Sequence, residues 1–200
     1  MKRFFDILCS GLGLIILSPL FLFIALWIKL GSKGSVFYKQ KRVGLNNRDF
    51  LLYKFRSMRI GSDKKGLITI GSHDSRVTNS GYYIRKYKFD ELPQLINVFK
   101  GDMSLVGPRP EVRKYVDLYT EEQMRVLSVK PGITDYASIE YADENTILGT
   151  SEDPDKTYVE TILPDKIELN MKYINNQSNA EYFKIIFLTL FRILECIRKR

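Results

Sequence analysis

The densest grouping of residues able to do chemistry lies between Arg85 and Pro110, in the run RKYKFDELPQLINVFKGDMSLVGPRP. Asp90 and Glu91 are adjacent carboxylates, suited to nucleophilic, proton-transfer or metal-holding work. Gly107-Pro108-Arg109-Pro110 restricts the backbone on either side of one guanidinium, a bidentate phosphate ligand held at low entropic cost. After the carboxylates, Leu92, Leu95, Ile96 and Phe99 recur at the spacing of one buried helix face. Asp90 is therefore expected at the N-cap, with Pro93 in a first turn where its missing amide has no helical partner. Gly101 is expected to end the helix. A helix N-terminus carries about half a positive charge and free amides, which keep a carboxylate ionised and favour a nearby phosphate. Taken alone, an Asp-Glu pair before a helix is most often only an N-cap.

Several elements must carry this group. From Ile7 to Ile28 the chain has 22 residues without a charge, ILCSGLGLIILSPLFLFIALWI, about 33 Å as a straight helix and enough to cross a bilayer core. Ser18-Pro19 stands at its centre, where proline removes a helical hydrogen bond and serine can satisfy the freed carbonyl, so a sharp bend is expected. Lys2 and Arg3 precede the run and Lys29, Lys33, Lys39, Lys41 and Arg42 follow it, so both ends carry the basic flanks of a cytoplasmic face. A plain transmembrane span stays open on these residues, because membrane helices tolerate proline. A cleaved signal peptide fits less well, since the basic, bulky IKLGSKGS offers no clean cleavage site.

Ser35 to Met58 reads as a β-hairpin of SVFYKQKR and RDFLLYKFRSM, turned at Gly44, Asn46 and Asn47. Its cations Lys41, Arg42, Lys54, Arg56 and Arg59 alternate with aromatic residues, a mixture that binds nucleic acid or rests on headgroups. Gly61 to Gly81 reads as a mobile loop and Tyr82 to Lys88 as a helix. Glu111 to Val129 is expected to form one domain helix ended by Pro131-Gly132, and Lys156 to Ile174 to be helical with a break or fresh start at Pro164. Asn175 to Asn179 is a linker. Glu181 to Arg200 has a wide apolar face and reads as an interfacial amphipathic helix, with a core helix as the alternative.

Two hundred residues suit one domain with a sizeable core. Lysine and arginine exceed aspartate and glutamate by 31 to 23, giving +8, and so basic a chain seeks phosphate, as nucleic acid, lipid headgroup or substrate. Only Cys9 and Cys196 occur, which excludes a disulfide framework or cysteine metal site and fits a reducing compartment. The single His73 reads as a surface loop residue.

KFDELPQLINVFKGDMSLVGPRP resembles, nearly residue for residue, the signature of the bacterial sugar transferases known as small monotopic phosphoglycosyl transferases. The resemblance implies that Asp90 is the nucleophile, Glu91 its partner, and Arg109, with Pro108 and Pro110 around it, a ligand of the nucleotide-sugar. KFRSM is similar to the family's active-site motif, which implies that Lys54 and Arg56 contact substrate phosphate. Arg85 matches the family arginine five positions ahead of the nucleophile. A re-entrant helix-break-helix with a Ser-Pro pair, here Ser18 and Pro19, belongs to the same pattern. VKPGIT continues the likeness, but DYASIEYADEN departs from the commoner Gly-Leu-Ala-Gln-Val-Asn-Gly-Arg near the sugar end, so the sugar is not readable.

The expected fold is α+β and mainly helical: a re-entrant membrane helix over 1–30, a cytoplasmic catalytic domain over 31–178 with the hairpin, and an interfacial helix over 179–200. The expected reaction moves a phospho-sugar from a UDP-sugar to polyprenyl (undecaprenyl) phosphate, releasing UMP through an aspartyl intermediate. Mg2+ held by Asp90 and substrate oxygens, with Arg85, Lys54 and Arg109 around them, would neutralise the diphosphate. Expected partners are these two substrates and inner-membrane lipids rather than nucleic acid, with a homodimer left open, on the cytoplasmic face of the bacterial inner membrane. The reading from another class is a non-catalytic basic module that binds anionic membrane or nucleic acid.

Overall fold

In the computed structural model, which describes residues 1–62 and 74–198, the two apolar helices α1 (Lys2–Ile16) and α2 (Ser18–Gly31) meet at Leu17 with a bend of 60°. The cause is local. Pro19 lies in the first turn of α2 and has no N–H for the Ile15 carbonyl, and Ser18 Oγ donates to that carbonyl at 2.8 Å instead. Among the described residues no single helix is long and apolar enough to cross a membrane, while the bent pair is so by length and composition. One side of the pair, including Leu12, Ile15, Leu22, Phe23 and Leu30, is exposed. The other side packs on the domain, with Ile24 and Ile28 buried against Phe55 and Ile84.

The start of α1 is fastened to the domain by polar contacts. Lys2 donates to the Gln177 carbonyl at 2.7 Å, and Arg3 to the carbonyls of Val98 and Phe99 at 2.6 and 2.9 Å. Asp6 is buried, and its Oδ1 accepts from Ser104 Oγ, the Leu105 amide and Tyr182 Oη, each within 2.9 Å. Three donors on one oxygen offset much of the cost of burying this carboxylate.

The expected hairpin is present. β1 (Phe37–Val43) pairs antiparallel with β2 (Asp49–Phe55), Phe37 opposite Phe55 and Val43 opposite Asp49. Asn46 and Asn47 turn the chain at φ of 53° and 59°, a region asparagine tolerates. His73 and most of the Gly61–Gly81 loop lie outside the described residues. α3 (Asn79–Lys86) begins earlier than expected because Thr78 Oγ1 accepts the Gly81 amide and caps it.

Two expectations about the next helix need correction. The chain first makes a separate 3₁₀ turn, Phe89–Glu91, and α4 (Gln94–Lys100) starts after Pro93, so Asp90 does not cap α4. Its inward face is Gln94, Asn97 and Val98, whereas Phe99 is 49% exposed. The reason is that Asn97 completes the hairpin's backbone: Oδ1 accepts the Tyr53 amide at 2.9 Å and Nδ2 donates to the Leu51 carbonyl at 2.8 Å. Buried backbone groups demand partners, and here that demand overrides the apolar stripe. Leu95 and Phe99 lie instead against α1, beside Gly13 and Gly11. Gly101, at φ 97°, ends α4 as expected.

β3 (Ser104–Val106) pairs parallel with β4 (Gly132–Thr134). Between them the expected long helix over 111–129 is absent: only α5 (Arg113–Val116) and a 3₁₀ turn, Gln123–Ser128, form. Thr120 and Gln123 exchange main-chain to side-chain hydrogen bonds at 2.9 and 3.2 Å, a capping box that starts a fresh turn and breaks the run. Beyond β4 come α6 (Tyr136–Glu140), α7 (Glu144–Gly149) and α8 (Pro154–Thr157), then a π-helical turn, Tyr158–Ile162, leading into α9 (Leu163–Asn175). Pro164, with no amide to donate, stands in the first turn of α9, so the expected break falls at this proline, and the chain reaches it through the π turn. Val112, Tyr115, Leu148, Tyr158, Ile162 and Ile167 form the main core of this part.

α10 (Asn179–Arg198) divides between the two readings. Tyr182 and Ile185 are buried against Val106 and Tyr173, while Phe187, Leu190, Phe191 and Leu194 are exposed. Among the described residues the fold is mainly helical with two small sheets, in agreement with the expected α+β class.

Candidate active site

The 3₁₀ turn that carries the carboxylates is aimed by the residue before it. Lys88 adopts φ 56° and ψ 23°, which reverses the chain after α3 and turns Asp90 into a cavity of about 580 Å³. A non-glycine residue in the left-handed region is costly, and such strain gathers at functional sites. Asp90 is 8% exposed and, among the described residues, has no hydrogen-bond or ion-pair partner. Burial, with the charge of Glu91 next to it, pushes its carboxyl above the ordinary value, opposed by Lys54, Arg85 and Arg109.

Glu91 is the opposite case. Arg109 grips both its oxygens, Nη1 on Oε2 at 3.2 Å and Nη2 on Oε1, while Lys54 Nζ stands 3.2 Å from Oε1. Burial works to raise the Glu91 carboxyl, but Arg109 and Lys54 more than offset it and hold it well below the usual carboxylate range. Lys54 in turn is lowered by burial, an effect Glu91 partly counters, and Arg109 is raised by Glu91. The dyad is therefore unequal. One carboxylate has a free electron pair in a low-dielectric cavity, and the other binds two cations beside it.

The arginine loop is held by its backbone. Gly107 N bonds to Thr134 O at 3.0 Å, Gly132 N to Pro108 O at 3.0 Å, and Val43 N to Glu111 O at 2.9 Å. A Cβ on Gly107 would fall 2.3 Å from the Lys130 carbonyl oxygen, so only glycine permits this approach. Arg42 Nη1 donates to Pro110 O at 2.9 Å, and Asp135 Oδ2 accepts the Arg109 amide at 2.9 Å.

The cavity brings together Lys54, Arg56, Arg85, Asp90, Glu91 and Arg109. Pro108 and Pro110 flank the arginine behind this wall and line a smaller void with Asn170 and Lys166. Arg56 lines the cavity, but its guanidinium donates to the carbonyls of Lys33 and, at 2.9 Å, Ser32, tying the exit of α2 to the hairpin. Ser18 and Pro19 are at the helix bend. Sequence reasoning missed the supports, Asp135 and Glu111 among them. Glu111 accepts from Tyr158 Oη at 2.5 Å and lies 3.6 Å from Arg42 and 3.8 Å from Lys166, and its place directly after Pro110 was the available signal.

Among the described residues no three His, Cys, Asp or Glu side chains gather to hold a metal. The donor set fits Mg2+ of the kind held mostly by substrate oxygens and water, which takes only one or two carboxylates from protein. Asp90, having no other partner, is the carboxylate available for it.

A large cavity with an uncommitted buried carboxylate, ringed by cations, is suited to hold a phosphorylated ligand. The chain belongs to the bacterial sugar transferase family, whose model matches residues 1–196. It is 43% identical over 197 residues to the UDP-N-acetylgalactosamine-undecaprenyl-phosphate N-acetylgalactosaminephosphotransferase of Aeromonas hydrophila, covering 97% of this chain and 44% of that protein. It is 40% identical to the uncharacterized sugar transferase EpsL of Bacillus subtilis (strain 168), over 97% of this chain and 87% of that protein. To the UDP-glucose:undecaprenyl-phosphate glucose-1-phosphate transferase of Escherichia coli (strain K12) it is 36% identical, over 96% of this chain and 40% of that protein. The chain thus spans less than half the length of two of these three relatives.

Proposed function

We propose that the protein transfers a phospho-sugar from a UDP-sugar to polyprenyl phosphate, with Asp90 as nucleophile. The names of the Aeromonas and Escherichia relatives support both substrates. The unequal dyad is the observation that carries the reading, since a carboxylate free of partners and raised in basicity can attack while its neighbour organises the cations. In the first step an Asp90 oxygen bonds to the β-phosphorus and the bond to the UMP oxygen breaks, leaving an aspartyl phospho-sugar and free UMP. In the second, an oxygen of polyprenyl phosphate bonds to that phosphorus and the aspartyl oxygen leaves, giving a polyprenyl diphosphate sugar and the original carboxylate. Splitting the transfer lets a lipid and a water-soluble donor use one site in turn. Arg109 and Lys54 neutralise the diphosphate, leaving Glu91 for it as the donor enters, and Arg85 supplies further positive charge. Mg2+ held by Asp90 would supply charge neutralisation on the phosphate oxygens.

A lipid acceptor calls for membrane docking on the cytoplasmic face. The exposed apolar residues of α1, α2 and the second half of α10 suit that placement. The contacts of Lys2, Arg3 and Asp6 with the domain favour a re-entrant pair over a span, because they keep the N-terminus on the domain's side. The test is a panel of UDP-sugars with polyprenyl phosphate and Mg2+, scored by UMP release. One donor that yields UMP and lipid-linked sugar is expected. Salt-sensitive lipid binding with no UMP from any donor would instead favour the non-catalytic basic module.

A further inference from the structure

Asp135 is completely buried, and its two oxygens serve different elements. Oδ2 accepts the main-chain N–H of Arg109 at 2.9 Å, and Oδ1 accepts that of Ser138 at 2.5 Å, capping α6. The first contact fixes the backbone from which Arg109 reaches Glu91. The second fixes the helix whose Ala137 and Ser138 line the same cavity, and Ser138 Oγ is buried there with no hydrogen-bond partner. Capping alone does not explain the residue type, since serine, asparagine and threonine cap helices about as well. The two main-chain donors come from different elements and each takes its own oxygen of Asp135, a division that a carboxylate matches and that an amide, with one acceptor oxygen, or a shorter hydroxyl does not reproduce.

We propose that Asp135 is a positioning residue that locks the Arg109 backbone and the first turn of α6 into one unit, so that the guanidinium meets the donor diphosphate in register with Asp90. It touches no substrate and acts through Arg109; the donor part of the inference rests on the function proposed above. Asp135→Ser separates the two contacts, because a serine hydroxyl still caps α6 but is too short to reach Arg109 as well. The expected result is a Michaelis constant for the UDP-sugar raised about tenfold, the scale of one lost charge-assisted contact, with the constant for polyprenyl phosphate unchanged. Asp135→Asn, which keeps one acceptor oxygen, should fall between serine and wild type and serves if the serine variant does not fold.

A cycle with Arg109→Ala, read by chemical denaturation, decides the point without turnover. Arg109→Ala removes the pairing with Glu91 and should lower the midpoint in the wild-type background. In the Asp135→Ser background, with Arg109 already displaced, it should lower the midpoint much less. Additive midpoints overturn the proposal, as does a donor constant that Asp135→Ser leaves at the wild-type value. If no UDP-sugar releases UMP, the proposed function fails, and the denaturation cycle still decides whether Asp135 positions Arg109.

Discussion

Replacing Glu91 by glutamine should damage the site through the cations rather than through a lost base. Glu91 accepts two hydrogen bonds from Arg109 and one from Lys54, with side chains 21%, 32% and 16% exposed respectively. Glutamine keeps one acceptor oxygen but no charge, so Lys54 and Arg109 lose the carboxylate that pairs them and keep only the Asp90 charge nearby. Breaking a fully buried ion pair costs about 3 to 5 kcal/mol; with these partial exposures about 2 kcal/mol is expected, a fall in Tm of roughly 4 to 8 °C for a chain of this size. The pH dependence has a definite sign. Glu91 is held below its unfolded value, so its contribution is fully present above about pH 4.3 and is lost as pH falls through the depressed value. The gap in Tm between wild type and Glu91→Gln should thus be flat at neutral pH and close only in strong acid. Asp90, freed from the adjacent negative charge but still beside Lys54 and Arg109, should ionise at lower pH, which moves the acid limb of kcat/KM downward. Turnover should drop by about ten- to a hundredfold, the scale of charge-assisted contacts, as measured by UMP release across pH 4 to 9. A loss of about 10³-fold or more with the acid limb unmoved would refute this reasoning and return Glu91 to a proton-transfer or metal-holding role.

Three further outcomes are expected. Asp90→Asn should abolish UMP release yet raise Tm, because wild-type stability declines as pH rises through the raised Asp90 value while the amide never ionises; a melting comparison at pH 4 and 8 should show the gap opening at the higher pH. Arg109→Lys keeps the charge and loses the two parallel donors, so the donor's Michaelis constant should rise about ten- to a hundredfold while the lipid acceptor's is unchanged, and an effect on the lipid constant alone would contradict the assignment. With Ser18-Pro19 replaced by Leu-Leu, Ile15 regains an ordinary helical partner and the apolar run becomes straight enough to span, so a cysteine introduced before Phe4 should become reachable by labelling from outside the cell; labelling of the unaltered bend from outside would favour the plain span.

What could be read from sequence follows from how far apart the causes lie. The bend at Ser18-Pro19 depends on one missing amide and one hydroxyl within a single turn, and it is where the residues place it. Asp90, Glu91, Lys54 and Arg109 were legible through the likeness of KFDELPQLINVFKGDMSLVGPRP and KFRSM to the family's motifs rather than through their types alone, and the fold brings them to one cavity. The burial of α4 was not legible. Its periodicity marks an apolar face without saying what covers it, and Leu95 and Phe99 lie against α1 while Asn97 turns inward to two backbone groups of β2, more than 40 positions earlier. Over 111–129 the Thr120-Gln123 capping box stood in plain view, but the apolar repeat suggested continuity and the local cap won. Asp135 and Asp6 lie beyond any such reading. Each is an ordinary aspartate whose distant partners, the Arg109 amide for Asp135 and Ser104, Leu105 and Tyr182 for Asp6, exist only after β3 and β4 pair or after α1 folds back onto β3 and α10. The candidate reactive groups stand out through the motifs that carry them, whereas those that aim them are defined by main-chain amides left over once the sheet and helices have taken theirs. A search for positioning residues in such a chain should therefore begin from the amides flanking the reactive side chains and ask which buried carboxylate or carboxamide answers each.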